Sequence, residues 1–216
     1  MDWENARFNM VEQQIRPWDV LDQTVLNLLF HVKREQFVPE AHRQMAFVDM
    51  ELPLGNGFRM WQPKLEARVL QELGLKRTDR VLEIGTGSGY LTALLSHLVK
   101  HVYSVEIDPA TADAAREQLK AAGCLNVTVE TGDAALGWDR HAPYDVIVAG
   151  GSYPTRPEAL LGQLAEGGRL WAVVGELPVM SASLFTKVGG AVKEEKLFET
   201  VLEPLRNVPP APKFQF

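Results

Sequence analysis

The chain has a single cysteine, Cys124, among its 216 residues. One cysteine cannot form an internal disulfide, and we expect its side chain to fill a small apolar space in a protein of a reducing compartment. The five histidines are scattered, without the close spacing to one another or to cysteine that metal sites show. The sequence therefore predicts neither a disulfide nor a metal site.

Long apolar runs and an excess of basic charge are also missing. No run approaches the roughly 18 apolar residues of a membrane-spanning helix, and residues 1–5 are acidic and polar, unlike a signal peptide. We therefore expect a cytoplasmic protein with no membrane partner. Lys and Arg number 22 against 28 Asp and Glu, which gives a net charge of −6. This balance disfavours nucleic acid as a partner.

Short apolar runs alternate with amphipathic stretches from residue 80 to about residue 175, which is typical of βαβ units. The predicted strands are residues 81–84, 102–105, 127–130, 146–149 and 170–174, and the predicted helices are residues 90–99, 109–122 and 157–165. Gly189-Gly190, between residues 183–188 and 192–198, predicts a C-terminal antiparallel hairpin. The predicted fold class is thus α/β, with a doubly wound, mostly parallel, seven-stranded sheet that ends in this hairpin.

The strand predicted at residues 81–84 runs into a turn with three glycines, Gly85, Gly87 and Gly89. A strand that turns sharply into a helix needs glycine where φ is positive, and the free N–H groups of the helix start can bind a ligand. Glu106 ends the next strand, where a carboxylate can accept hydrogen bonds from both hydroxyls of a ribose. This pattern indicates a nucleoside cofactor.

The spacing of the glycines narrows the choice of cofactor. Tyr90 occupies the position of the third glycine of the dinucleotide fingerprint, which disfavours NAD. S-adenosylmethionine fits better because it has a ribose, an adenine and a methionine tail but no pyrophosphate. Glu83 can face the ammonium of that tail and Asp133 the amino group of adenine. Taken singly, each acid is also typical of a solvated loop or a helix cap, but three acids at three successive strand ends favour a methyl-donor site.

The first third of the chain follows another pattern, and we divide one globular unit into an N-terminal helical extension with a substrate loop, residues 1–75, and a cofactor-binding domain, residues 76–216. Two apolar helical faces are predicted in the extension, formed by Val20, Leu21, Val25, Leu28 and Leu29 and by Leu65, Val69, Leu70 and Leu73. Residues 37–39 and 52–57 between them are predicted to be irregular, as a substrate lid or as a plain surface connection. The proline-rich tail, Pro209-Pro210-Ala211-Pro212, is predicted to be a loosely packed end.

Several motifs resemble known families. The chain is similar to the motif series of class I S-adenosylmethionine-dependent methyltransferases, which implies a Rossmann-like fold. The matching motifs are residues 81–90, Ser104-Val105-Glu106, Gly132-Asp133 and Gly167-Gly168-Arg169-Leu170 with Val174-Gly175. More narrowly, the chain resembles the protein-L-isoaspartate (D-aspartate) O-methyltransferase family. That resemblance rests on four motifs: Arg34-x-x-Phe37-Val38-Pro39, Asp49-x-x-Leu52-Pro53-Leu54-Gly55-x-Gly57, Gln62-Pro63 and Glu83-Ile84-Gly85-Thr86-Gly87-Ser88-Gly89-Tyr90. It extends from about residue 34 through the C-terminal hairpin.

This resemblance implies methyl transfer to the carboxylate of isoaspartyl residues in damaged proteins. We separately expect a monomer or weak dimer. No general base is needed, because a carboxylate is ionised near neutral pH and a sulfonium methyl is electrophilic. The resemblance and the residues together assign the acceptor side to Arg59, Trp61 and Asp49. The cofactor side is assigned to Gln62, Glu83, Gly85, Thr86, Gly87, Ser88, Gly89, Tyr90, Glu106, Ile107, Asp133 and Ala134.

The substrate loop departs from the family pattern. Where the family reads Gly-Gln-Thr-Ile-Ser-Gln-Pro, residues 57–63 read Gly-Phe-Arg-Met-Trp-Gln-Pro, so that Arg59 replaces the threonine and Trp61 the serine. Phe47 replaces a tyrosine. Arg59 could pair with the acceptor carboxylate, Trp61 could reshape the site for a small acid or an aromatic acceptor, or the chain could bind the cofactor without turnover. The plainer alternative is a solvated Arg59 and a core Trp61.

Adenine N-methylation is disfavoured by the stretch Ala149-Gly150-Gly151-Ser152-Tyr153-Pro154, which lacks the polar-Pro-Pro-aromatic turn of those enzymes.

Overall fold

A computed structural model describes residues 2–211, so that Met1 and residues 212–216, with the last proline of the predicted tail, lie outside the described residues. The helices are α1 (Trp3–Met10), α2 (Gln23–His31), α3 (Pro63–Leu73), α4 (Tyr90–Ser96), α5 (Pro109–Ala121) and α6 (Glu158–Gly162). The strands are β1 (Leu52–Gly55), β2 (Phe58–Met60), β3 (Arg80–Ile84), β4 (His101–Glu106), β5 (Val127–Thr131), β6 (Tyr144–Tyr153), β7 (Leu164–Glu176), β8 (Val179–Val188) and β9 (Ala191–Glu199). Short helical turns cover Val11–Ile15, Arg16–Trp18, Arg34–Gln36, Glu40–Met45 and Asp139–His141.

Seven strands form one sheet in the order β5-β4-β3-β6-β7-β8-β9. The first five strands of this order are parallel, and β8 and β9 add antiparallel pairs at one edge. This arrangement confirms the predicted fold class and the C-terminal hairpin. The order reverses between β3 and β6, because β4 and β5 lie to one side of β3 and the later strands to the other. A switch point of this kind leaves a crevice at the carboxyl ends of the two strands.

Both faces of the sheet are apolar. Val81 and Leu82 are fully buried in two different hydrophobic clusters, and so are Trp171 and Leu170 of β7. Because successive side chains of a strand point to opposite faces, each of these strands packs on both sides. These central strands are therefore largely apolar, as the sequence predicts, with Glu83 as a buried carboxyl residue in β3.

Some predicted boundaries were wrong. The helix predicted at residues 157–165 is only Glu158–Gly162, because β7 already begins at Leu164. Leu21 was assigned to an apolar helical face but is 67% exposed. Leu21 precedes α2, which starts only at Gln23. The carboxylate of Asp22 caps this helix by accepting hydrogen bonds from two N–H groups of the first turn.

The prediction that residues 52–57 are irregular was also wrong. Leu52 pairs with Met60 and Pro53 with Arg59 in the antiparallel hairpin of β1 and β2. Asn56 and Gly57 form its turn with φ values of 52° and 82°. Asn-Gly favours tight hairpin turns because both residues accept positive φ, so that the signal was present in the sequence.

A buried ion pair lies within the N-terminal part and ties its segments together. Arg34 is 1% exposed and pairs with Glu66 of α3, which is 2% exposed. The other N–H groups of the Arg34 guanidinium donate to the carbonyl oxygens of Ala46, at 2.8 Å, and Trp61, at 2.6 Å. N-terminal residues such as Leu26 share one hydrophobic cluster with the strands of the sheet. The division at residue 75 stays a prediction.

After β9 the chain returns to the switch point. We call residues 201–208 the C-terminal segment. Ser152 donates from its N–H to the carbonyl oxygen of Glu203 at 2.9 Å, and Leu205 donates to the carbonyl oxygen of Ser152 at 3.2 Å. The guanidinium of Arg206 donates to the carbonyl oxygen of Asn56 at 2.6 Å. The C-terminal segment therefore spans from the end of β6 to the β1–β2 hairpin.

Candidate functional site

The crevice at the switch point holds a cavity of about 250 Å³, which we call the main cavity. It is lined by the ends of β3, β4 and β6, by the β1–β2 hairpin and by the C-terminal segment. A second, small cavity of about 50 Å³ adjoins it, and Arg59, Trp61, Gly85, Gly87 and Gly150 line both. The two together form an elongated site with a wider and a narrower end.

Glycines shape the backbone around this site, in the turn after β3 and where β6 lies against β3. Gly85, Gly87 and Gly89 all have positive φ, of 90°, 54° and 81°, which confirms the reason predicted for them. At Gly150, a Cβ atom would lie 2.3 Å from the carbonyl oxygen of Ile84. Any larger residue at position 150 would therefore push β6 away from β3 at the floor of the site.

Glu106 is held in a fixed orientation at the end of β4. It is 2% exposed and lines the main cavity. Its two carboxylate oxygens accept hydrogen bonds from the N–H of Gly87, at 2.9 Å, and of Asp108, at 3.1 Å. Each oxygen keeps a further lone pair, so that the carboxylate can still accept hydrogen bonds from a diol.

Glu83 lies in β3 below the glycine turn and lines the small cavity. Its Oε2 accepts from the hydroxyls of Thr92, at 2.5 Å, and Ser104, at 2.6 Å. Its Oε1 is buried and has no hydrogen-bond partner among residues 2–211. Burial raises the pKa of Glu83 to about 7, the hydroxyls of Ser104 and Thr92 oppose this rise, and the charge of Glu106 adds to it. The orphan oxygen therefore has unused capacity to accept a hydrogen bond.

Asp133 lines the main cavity at the exposed end, in the loop after β5. Its Oδ1 accepts from the N–H of Ala135 at 3.0 Å. Its Oδ2 accepts from the side-chain amide of Asn207, in the C-terminal segment, at 2.8 Å. The carboxylate is thus fixed from two sides near the mouth of the cavity.

The acceptor residues predicted from the sequence divide into two groups. The side chain of Arg59 is 51% exposed, lies 4.0 Å from the carboxylate of Glu51 and lines both cavities. Trp61 is 8% exposed and also lines both. The structure does not bring Asp49 to them, because its carboxylate pairs with Lys64 at 2.6 Å beside α3. A catalytic role for Asp49 stays a prediction.

The predicted cofactor residues are mostly gathered here. Ile107 and Ala134 line the main cavity, and Thr86 and Ser88 the small one. Gln62, Gly89 and Tyr90 lie outside the lining of both cavities as far as the chain is described. The ring of Tyr90 is 1% exposed and packs 5.5 Å from that of Phe37, so that the structure does not bring this side chain into either cavity. Tyr90 is the first residue of α4, and its ring packs against Phe37 and Arg34 of the N-terminal part.

Sequence reasoning missed one wall of the site. Glu203, Pro204, Leu205 and Arg206 of the C-terminal segment line the main cavity, and Glu51 and Phe58 line it from the hairpin. The Asn-Gly turn could have located the hairpin. No local pattern marks the C-terminal segment, because its position depends on contacts with residues far away in the chain.

In the part of the chain from residue 2 to residue 211, no three His, Cys, Asp or Glu side chains are grouped so that they could hold a metal ion. Over the same residues, no helix combines the length and the apolar character needed to cross a bilayer.

Comparisons with known proteins agree on one family. Residues 5–208 match the family described as protein-L-isoaspartate(D-aspartate) O-methyltransferase. Protein-L-isoaspartate O-methyltransferase 2 of Pelobacter propionicus is 44% identical over 172 residues, which cover 80% of this chain and 76% of the relative. Protein-L-isoaspartate O-methyltransferase of Methanoculleus marisnigri is 41% identical over 199 residues, which cover 92% and 90%.

Two solved structures with related names share the fold. One protein-L-isoaspartate O-methyltransferase superposes with a TM-score of 0.79 at 27% identity, over 94% of this chain and 65% of the other. A beta-aspartate methyltransferase from Plasmodium falciparum, solved with S-adenosyl-L-homocysteine, has a TM-score of 0.79 at 22% identity, over 95% and 99%. The chain thus belongs to the protein-L-isoaspartate(D-aspartate) O-methyltransferase family.

Proposed function

We propose that this protein transfers the methyl group of S-adenosylmethionine to the carboxylate of isoaspartyl residues in damaged proteins or peptides. The observation that carries the proposal is the placement of Glu83, Glu106 and Asp133 at the ends of successive strands around one elongated site, which opens beside a cationic side chain. Family membership over residues 5–208 supports the same reaction.

The chemistry of the site fits this cofactor. Glu106 offers two fixed acceptors for the ribose hydroxyls, and Asp133 offers an acceptor for the adenine amino group. The orphan Oε1 of Glu83 fits an ammonium group. We assign the backbone of Gly85, Thr86, Gly87 and Ser88 to the methionine tail, and the apolar surfaces of Ile107 and Ala134 to the adenine. When bound, the cofactor supplies an electrophilic methyl group on a sulfonium.

We place the acceptor carboxylate beside Arg59. Its guanidinium is half-exposed and held only loosely by Glu51, at 4.0 Å, so it is free to form a charge-assisted hydrogen bond with another carboxylate. Such a pair would fix an oxygen in line with the methyl group, and alignment supplies most of the catalysis, since neither reactant requires proton transfer. Trp61 forms the apolar wall that shields this oxygen from water.

The proposal extends to partners and setting. We infer that residues 1–75 supply the wall that contacts the damaged polypeptide, since the β1–β2 hairpin lies in this part and lines the main cavity. The net charge of −6 supports a polypeptide rather than nucleic acid as the partner. We further propose that the protein works in the cytoplasm, as a monomer or weak dimer.

Labelled methyl transfer tests the proposal. The purified chain is incubated with methyl-labelled S-adenosylmethionine and either an isoaspartyl peptide or its normal aspartyl twin. We expect base-labile label on the isoaspartyl peptide alone. Equal labelling of both peptides would contradict the proposal, and so would labelling of neither. Cofactor binding without labelling of either peptide would instead favour another acceptor, shaped by the indole of Trp61.

A further inference from the structure

The small cavity contains two buried carboxyl groups rather than one. Glu83 reaches it from β3 and Glu66 from α3, and the two residues are 1% and 2% exposed. A buried carboxylate is costly unless a cation or hydrogen-bond donors compensate it. The cations and hydrogen-bond donors around Glu83 and Glu66 therefore determine whether each carboxyl group is ionised.

The compensation is unequal. Arg34 pairs with Glu66, and the rest of its guanidinium donates to the carbonyl oxygens of Ala46 and Trp61. The Oε2 of Glu83 accepts from two hydroxyls, and its Oε1 accepts from no group in residues 2–211. The buried cation Arg34 thus contacts only one of the two carboxyl groups, that of Glu66.

The other charged groups around the pair do not restore the balance. Glu106 adds negative charge near Glu83, and Arg59 lines the same cavity but is half-exposed and lies near Glu51. The ring of Tyr90 lies 4.9 Å below the guanidinium of Arg34 and is neutral.

These surroundings favour retention of a proton. Burial raises the pKa of Glu66 to about 8, although Arg34 opposes this rise, and the charge of Glu83 adds to it. Burial likewise raises the pKa of Glu83 to about 7. The ion pair with Arg34 opposes the rise for Glu66, but both pKa values stay well above 4.5, so that the Glu66–Glu83 pair shares a proton near neutral pH.

We propose that Glu66 is a second carboxyl group of the cofactor's ammonium site, and that one proton leaves the Glu66–Glu83 pair when the ammonium enters. The inference rests on the proposed function. The incoming N–H group would donate to the Oε1 of Glu83, the proton of the pair would pass to solvent, and two cations would then face two carboxylates. Glu66 is a positioning residue in this scheme, because it occupies Arg34 and leaves Glu83 without a permanent cation.

Calorimetry in two buffers of different ionisation enthalpy counts the protons released on binding. The probes are S-adenosylhomocysteine and methylthioadenosine, which share the adenosine but differ in the amino-acid tail. At pH 7 and below we expect S-adenosylhomocysteine to release between about half and one proton, with an affinity that rises with pH between pH 5.5 and 7. We expect methylthioadenosine to release none and to show a flat pH profile.

Two variants and one control identify the source of the proton. In Glu66→Gln, the second carboxyl group of the pair is gone and its charge no longer opposes ionisation of Glu83, so that release at pH 7 should fall to near zero. In Thr92→Val, Glu83 loses one donor, so that release should persist to higher pH. Glu72→Gln, on the same helix and paired with Arg68 at 2.5 Å, should behave as the wild type. If Glu66→Gln does not fold, the wild-type and Thr92→Val measurements are sufficient.

Binding of S-adenosylhomocysteine without proton release would overturn the inference and leave the proposed function intact. Equal release with both ligands would also overturn it, because the proton would then come from the adenosine end. If neither ligand binds, the proposed function fails and the inference with it.

Discussion

The indole ring of Trp61 lies 5.6 Å from that of Trp171, with 54° between the two planes. Trp171 is fully buried in β7, and Trp61 is 8% exposed where it lines the site. Paired aromatic rings in this geometry add to the free energy of burial. The residue that replaces the serine of the family pattern is therefore both part of the core and part of the wall of the site.

We expect Trp61→Ser to lower the free energy of unfolding by about 3–5 kcal/mol, because the substitution leaves a cavity beside Trp171. Urea unfolding measures this loss, and Trp61→Phe, which keeps a ring, should lose less. We expect no gain in kcat/KM for the isoaspartyl peptide. A variant of unchanged stability and higher kcat/KM would show that the indole blocks the acceptor.

Arg59→Ala should lower kcat/KM for the isoaspartyl peptide by about 10- to 100-fold, because a charge-assisted hydrogen bond to the acceptor is lost. Its affinity for S-adenosylhomocysteine should stay within about twofold of the wild type. Steady-state kinetics and calorimetry measure the two effects, and Arg59→Lys should retain part of the activity. Unchanged kinetics in Arg59→Ala would mean that the guanidinium is merely solvated.

The ligand-free chain should lose stability as the pH rises. Glu83 has a pKa of about 7 when folded, against 4.5 as its ordinary value, so the folded state binds more protons between these values. The contribution is lost through this window and amounts to up to about 3 kcal/mol. Urea unfolding at pH 5 and pH 8 should therefore show a smaller decrease for Glu83→Gln than for the wild type. The Glu72→Gln control should lose as much free energy of unfolding between pH 5 and pH 8 as the wild type. If Glu83→Gln loses as much as the wild type or the control, Glu83 is not the cause of the pH dependence.

The C-terminal segment should slow release of the cofactor product. Arg206 donates to the carbonyl oxygen of Asn56 and stacks 4.1 Å from the ring of Phe58, which holds the segment against the hairpin across the main cavity. We expect Arg206→Ala to raise the dissociation rate of S-adenosylhomocysteine by about 3- to 10-fold with a smaller change in the association rate. Stopped-flow fluorescence measures both rates, with Arg16→Ala as a surface control. An unchanged dissociation rate would mean that the segment does not retain the ligand.

Local patterns in the sequence predicted the parts of the fold that depend on neighbouring residues. The strand at 81–84, the positive-φ glycines after it and the hairpin around Gly189-Gly190 are confirmed, because apolar periodicity and glycine chemistry act over a few residues. The predicted end of α6 and the predicted start of β7 were wrong, because pairing with β6 decides where β7 begins.

Long-range contacts explain what the sequence did not predict. The bond from Arg206 to Asn56 joins residues 150 positions apart, and the pair of Arg34 and Glu66 joins residues 32 apart. Neither contact has a periodic signature. For the same reason Tyr90 was assigned to the cofactor from its motif, although packing against Phe37 turns its ring into the core. Roles for the gathered side chains stay predictions until binding is measured.

The most direct test of the proposed activity is a competition assay with the isoaspartyl and aspartyl peptides in one reaction. Equal amounts of the isoaspartyl peptide and its aspartyl twin compete for the wild-type chain with S-adenosylmethionine, and mass spectrometry follows each peptide. We predict that one methyl group appears on the isoaspartyl peptide while the aspartyl twin stays unmodified. Methylation of the twin at a similar rate, or no methylation while the cofactor binds, would contradict the proposed activity.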